Sequence, residues 1–167
     1  MNQIDTTIST AVLVNLSSTV NNTIERVFDF VTFGDVVLSI LTGPAALNDY
    51  EMIRGPWGQV GASRWLNFKS GIRAQETITS LVRPHLYTYA LTNFSGDVGS
   101  LTDLAVSEWK FTPAGTRTQV TWEYSWRPKN VGRMDELGLF VSQIWTEWMT
   151  STFTETQRLL KRDLLGP

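Results

Sequence analysis

Two kinds of apolar spacing divide the chain. From Thr7 to Ser17, apolar and small polar residues alternate (Ile8, Val12, Val14, Leu16), which predicts a strand. Asn22 follows as a good helix N-cap, with Glu25 three residues on, and Ile24, Val27, Phe28 and Val31 then recur at helical spacing to Thr32. A shorter helix is predicted over Asp35–Leu41, stopped by Gly43-Pro44. Between Asn48 and Lys129 the period becomes two, predicting strands at Tyr50–Arg54, Ala62–Phe68, Ile72–Val82, His85–Phe94, Asp103–Phe111 and Thr118–Arg127. Gly55-Pro56, Ser70-Gly71, Arg83-Pro84, Ser95-Gly96 and Pro113-Ala114-Gly115 punctuate them. Connections this short join antiparallel neighbours. Helical spacing returns from Val131 to about Leu164, with Met134, Leu137, Val141, Ile144, Trp145, Trp148 and Met149 on one stripe that Phe153, Leu160 and Leu164 continue. A helix of that length runs on the order of 50 Å, enough to cross a sheet. The order β-α-α-β6-α over residues 1–167 reads as one α+β domain.

The hairpin Arg64–Ile78 carries its own register. A two-residue loop, Ser70-Gly71, would set Phe68 opposite Arg73 and mix polar with apolar residues on both faces. A three-residue loop, Lys69-Ser70-Gly71, pairs Phe68 with Ile72 and Leu66 with Ala74, and puts glycine where the bulged turn needs it. A one-residue slip turns every side chain over, so consistency of pattern selects the second loop. Arg64 then faces Glu76 on the apolar side. Two readings fit that pair: a structural ion pair near a rim, or a polar anchor or acid/base group in a greasy pocket.

Composition narrows the chemistry. The 167 residues include no Cys and one His, so Cys/His metal, haem and iron–sulfur sites and thiol catalysis are excluded, and neither metal nor cofactor is expected. The single histidine, His85, follows Arg83-Pro84 at a hairpin tip and reads as a solvated turn residue. A net charge of −2 with scattered Lys and Arg provides no field for a nucleic-acid backbone. The only basic cluster, Arg158, Lys161 and Arg162, suits the last turns of a helix. No run of 18 apolar residues occurs and Met1–Thr10 lacks signal-peptide character, so a cytoplasmic protein without a membrane span is expected. What stands out is seven Trp, eight Phe and four Tyr. Val120, Trp122, Tyr124 and Trp126 share one face of the last strand, Trp109 and Phe111 one face of its neighbour, and Trp145, Trp148 and Met149 would meet them from the helix. Such rings either fill a core or line a cavity.

The segments Asn22–Phe30, Gly61-Ala62-Ser63-Arg64 with Glu76, Phe111–Trp122 and Arg127-Pro128, in that order, resemble the helix-grip superfamily of START-like domains, polyketide cyclase/dehydratases and the major birch-pollen allergen (SRPBCC). The resemblance implies a curved antiparallel sheet wrapped around the long C-terminal helix, with an apolar ligand between them. It implies ligand contacts from Leu66, Phe68, Ile78, Tyr87 and Tyr89, from Trp109, Phe111 and Trp122, and from Val141, Trp145, Trp148 and Met149. Loops Gly55–Gly61 and Ser95–Gly99 would be mobile edges of the cavity mouth. The function implied is binding of a hydrophobic, ring-containing or flexible oxygenated small molecule, in the manner of polyketide cyclase/dehydratases. If the protein is an enzyme, it is a cofactor-independent cyclase or dehydratase with Glu76, Arg64 and a pocket tyrosine (Tyr87, Tyr89 or, foremost, Tyr124) as catalytic groups. The alternatives are a non-catalytic lipid or metabolite carrier, or a stress-type interaction protein whose C-terminal helix serves a protein partner. A monomer or a homodimer fits either.

Overall fold

The alternating segments pair into one antiparallel sheet whose apolar face closes on the C-terminal helix. A computed structural model describes residues 4–6, 10–32 and 35–163. Along the chain run β1 (Val12–Val20), α1 (Ile24–Thr32), α2 (Val36–Ile40), a 3-10 turn (Gly43–Ala45), β2 (Leu47–Arg54), β3 (Ser63–Phe68), β4 (Arg73–Val82) and β5 (Leu86–Thr92). There follow α3 (Gly96–Leu101), β6 (Thr102–Ala114), β7 (Arg117–Pro128), a second 3-10 turn (Val131–Arg133), α4 (Met134–Phe140), a π-helical turn (Val141–Trp145) and α5 (Thr146–Asp163). The strands lie in the order β1-β7-β6-β5-β4-β3-β2, so every strand from β2 to β7 pairs with its sequence neighbour and β1 closes the far edge. This is the helix-grip fold.

Register turns the alternation into rows on the inner face. Arg64, Glu76, Leu91, Ala105 and Trp126 are successive cross-strand partners from β3 to β7. The next row is Ile78, Tyr89, Ser107 and Tyr124, and the one after it Tyr87, Trp109 and Trp122. Ala105 and Ser107, both fully buried, are the small members between large neighbours. Register shifts between Ile78 and Ser80, and in β2 and β6, bend the sheet around the helix. The inferred hairpin is present: Leu66 pairs with Ala74 and Arg64 with Glu76, Phe68 N donates to Ile72 O at 2.9 Å, and Gly71 sits at φ +92°.

Four local expectations change. β1 runs from Val12 to Val20, beyond the expected end, while Thr7–Ser9 and Leu164 lie outside the described residues. Asn22 makes no capping box: its Oδ1 accepts from Thr23 N at 3.2 Å, and its buried backbone carbonyl accepts from the Thr118 hydroxyl at 2.8 Å. The stretch after Ser95 is helical rather than a loop. Three of its residues, Gly96, Gly99 and Ser100, are poor helix formers, and tertiary contacts override them: Val98 is buried and Lys129 Nζ donates to Gly99 O at 2.9 Å. A Cβ at Gly99 would stand 2.2 Å from Phe94 O, so this helix packs directly on backbone. Finally, Ile144 is 43% exposed, off the buried stripe. The π turn takes in an extra residue, rotating Ile144 outward while Leu137, Val141, Trp145, Trp148 and Met149 stay inside.

Candidate functional site

A cavity lies between the sheet, α1–α2 and the C-terminal helix, with an empty volume near 630 Å³ counted to its mouth, of which about 60 Å³ admits the centre of a water molecule. Its sheet wall carries Arg64, Leu66, Phe68, Glu76, Leu91 and the rings of Tyr87, Tyr89, Trp109, Trp122 and Tyr124. Trp145, Trp148, Met149 and Thr152 form the helix wall. The third wall escaped the sequence reading: Val31, Val36, Val37, Ile40, Leu41 and Ala45. The consecutive apolar residues of the short α2 were its available signal. Of the sequence-derived ligand contacts, Ile78, Phe111 and Val141 are buried but lie off the cavity. Ile78 is overreached by its cross-strand partner Tyr89, whose longer side chain takes the void. Phe111 packs edge-on against Phe28, at 5.4 Å, and closes α1 onto the sheet. Val141 stands one turn before Trp145, and the larger ring occupies that end.

At the polar end, Arg64 Nε donates to Glu76 Oε2 at 2.7 Å, and both side chains are nearly inaccessible, at 4% and 5%. The guanidinium lies 3.7 Å from the Trp57 ring centroid and 5.0 Å from that of Tyr50, so aromatic faces cover what the carboxylate leaves open. Glu76 Oε1 has no hydrogen-bond partner among the described residues. Tyr50 also donates to Asp35, immediately before α2, tying that wall to the sheet edge. The loop around Trp57 therefore seats the guanidinium instead of forming a free rim. The Gly96–Leu101 segment, expected as a loop at the cavity mouth, is helical and does not line the cavity. His85 is an exposed turn residue.

The phenols form the other polar feature. Tyr89 and Tyr124 flank Ser107 on adjacent strands, and because Ser107 is small their hydroxyls meet at 2.6 Å. Trp122 Nε1 donates to Ser107 Oγ at 2.9 Å. Burial, followed by the negative charge of Glu76, pushes Tyr89 up to about 12 despite the hydroxyls beside it. Burial raises Tyr87 and Tyr124 well above the ordinary phenol value too, with Glu76 adding to the rise. Near neutral pH the cavity thus offers neutral O–H donors.

These shifts set an alkaline limit. Above about pH 10 an unfolded chain loses phenolic protons that the folded one retains, so stability present below that pH falls as pH rises. Tyr89 alone accounts for roughly 2–3 kcal/mol over the interval to about 12. In an alkaline titration, phenolate absorbance from these three tyrosines should appear together with loss of near-ultraviolet circular dichroism. More than one phenolate forming near pH 10 with the dichroism intact would contradict the buried phenol cluster, since only Tyr50 stands outside it.

Residues 11–164 match the family described as polyketide cyclase / dehydrase and lipid transport. No curated protein matches the chain. Among solved structures, Ara h 8.0201 is 16% identical with a TM-score of 0.72, covering 92% of this chain and 99% of its own. The major latex-like protein 151 of Panax ginseng is 15% identical with a TM-score of 0.68, covering 89% and 96%. A Thalictrum norcoclaurine synthase point mutant, in complex with a transition-state analogue, is 14% identical with a TM-score of 0.68, covering 92% and 96%. At these identities the likeness concerns the fold.

Proposed function

The chain belongs to the polyketide cyclase/dehydrase and lipid transport family, and from that premise we propose that it binds a ring-containing or flexible oxygenated compound in the cavity and cyclises or dehydrates it. One observation carries the reading: a carboxylate held by a buried guanidinium shares an aromatic cavity with three neutral phenols. Stability does not account for the ion pair, because desolvating two charges commonly costs as much as their attraction returns.

The arrangement suits chemistry beside a carbonyl. Arg64 orients Glu76 through Oε2, leaving Oε1 to take a proton from the carbon next to a ligand carbonyl. Phenol O–H groups hold the developing enolate oxygen. In a β-hydroxy ketone the hydroxyl then leaves as water, taking back the proton that Glu76 carries. Folding a flexible substrate against the aromatic walls supplies the reactive conformer. The void as it stands admits only a few waters, so its walls must shift for a ring system to enter. Native mass spectrometry of the purified protein tests the reading, with a retained small molecule expected. Quenching of tryptophan fluorescence by polyphenols or lipids follows, and then a search for product masses; binding without product would favour a carrier. The absence of both a retained ligand and quenching would retire the proposal. The partner-protein alternative loses its anchor, since Trp145 and Trp148 both face inward at 6% exposure.

A further inference from the structure

We propose that Trp145 reads the ligand directly: its indole N–H donates to a neutral carbonyl oxygen, so the cavity selects a planar conjugated ketone over the matching hydrocarbon. This rests on the cavity-binding reading above. Trp145 lines the cavity from the C-terminal helix, is buried, and its Nε1 meets no acceptor among the described residues. A donor left unmade inside a protein costs free energy; Trp109 Nε1 on the sheet wall and Trp126 Nε1, which lies off the cavity, are unanswered as well, and of the three only Trp145 stands on the helix wall. Trp122, on the opposite wall, shows the usual remedy, since its N–H ends on Ser107. The backbone at Trp145 is unusual as well. The π turn Val141–Trp145 ends on this residue, and the hydroxyl of Thr146, which follows it, donates back to Val141 O at 2.8 Å. Such turns set a side chain at an angle that a regular helix would not give it.

The surroundings define the acceptor. Tyr124 and Trp126 stand edge to face with Trp145, at 5.3 and 4.8 Å, while Phe68 and Trp148 stack at 5.4 Å beside it, so the wall around Trp145 is made of flat aromatic faces and edges that suit a conjugated ring. An anionic acceptor is disfavoured. Glu76 already contributes negative charge to the cavity, and the guanidinium that could answer a second anion is held by Glu76 and covered by Trp57. A carbonyl supplies the acceptor without the charge.

Xanthone and xanthene, which differ at that carbonyl, are suitable probes for the full chain. Wild-type protein should bind xanthone more tightly. An isosteric benzothienylalanine at position 145, lacking only the N–H, should lower xanthone affinity about five- to tenfold while xanthene affinity falls less than about twofold; Trp145→Phe, which also shortens the wall, should weaken both probes but xanthone several-fold more. The benzothienylalanine variant preserves the ring volume if the Phe variant folds poorly. The Trp145 indole N–H resonance should move downfield with xanthone only. Equal losses for both probes, or a resonance held upfield by the Trp126 ring whichever probe is present, would overturn the inference while leaving cavity binding intact. If neither probe binds the wild type, this inference falls, while the retained-ligand and quenching measurements decide the proposed function separately.

Discussion

Arg64→Met should destabilise the folded protein by about 3–5 kcal/mol, because it leaves the Glu76 carboxylate buried without its guanidinium. Urea unfolding followed by tryptophan fluorescence measures this, with the midpoint falling and the slope unchanged. Arg64→Met combined with Glu76→Leu should recover most of the loss, since no uncompensated charge remains and apolar groups of similar length fill the row between β3 and β4. The non-additivity is the diagnostic result. A single variant within about 1 kcal/mol of wild type would mean that water reaches the pair and that it behaves as a surface ion pair.

The second large effect concerns turnover. Glu76→Gln should reduce turnover or ligand affinity tenfold or more, because the amide cannot take the proton assigned to Oε1. The side chain keeps its shape and can still accept from Arg64 Nε. Parallel unfolding curves separate a chemical defect from a structural one. A loss in turnover with affinity retained favours proton transfer; equal losses in both favour a group that only orients the ligand. Unchanged affinity and rate would remove Glu76 from the site.

The placement of Glu76 shows how far pattern alone can reach. Its inward position follows from alternation and from one glycine: only the loop ending at Gly71 keeps Leu66, Phe68, Ala74 and Ile78 on a common face, and that loop puts Arg64 opposite Glu76. The aromatic faces of β6 and β7 follow from the same period. Three things lay beyond it. The α2 wall is five residues long and owes its place to packing against α5 and to the Tyr50–Asp35 hydrogen bond, contacts between segments far apart in the chain. The glycine-containing helix at Gly96–Leu101 forms against its own propensity. The seating of Trp57 on Arg64 joins a loop to a strand by a cation–π contact that has no periodicity.

The sequence by itself determined the order of the strands, the two helices after β1, the single antiparallel sheet, the long closing helix and the inward Arg64–Glu76 pair, because hydrophobic period and turn chemistry are local and alternation carries side-chain direction with it. It also excluded thiol chemistry and left His85 as the only imidazole. Tertiary structure alone decided which inward residues reach empty space. Ile78, Phe111 and Val141 point the same way as their neighbours yet fill the core, while Tyr89 and Tyr124 meet across Ser107 and Trp145 is turned by a π helix with its N–H unanswered. Whether a buried side chain packs or lines a void depends on the lengths of the residues opposite it and on small changes in helix phase, and those are settled only when the sheet has curled around the helix.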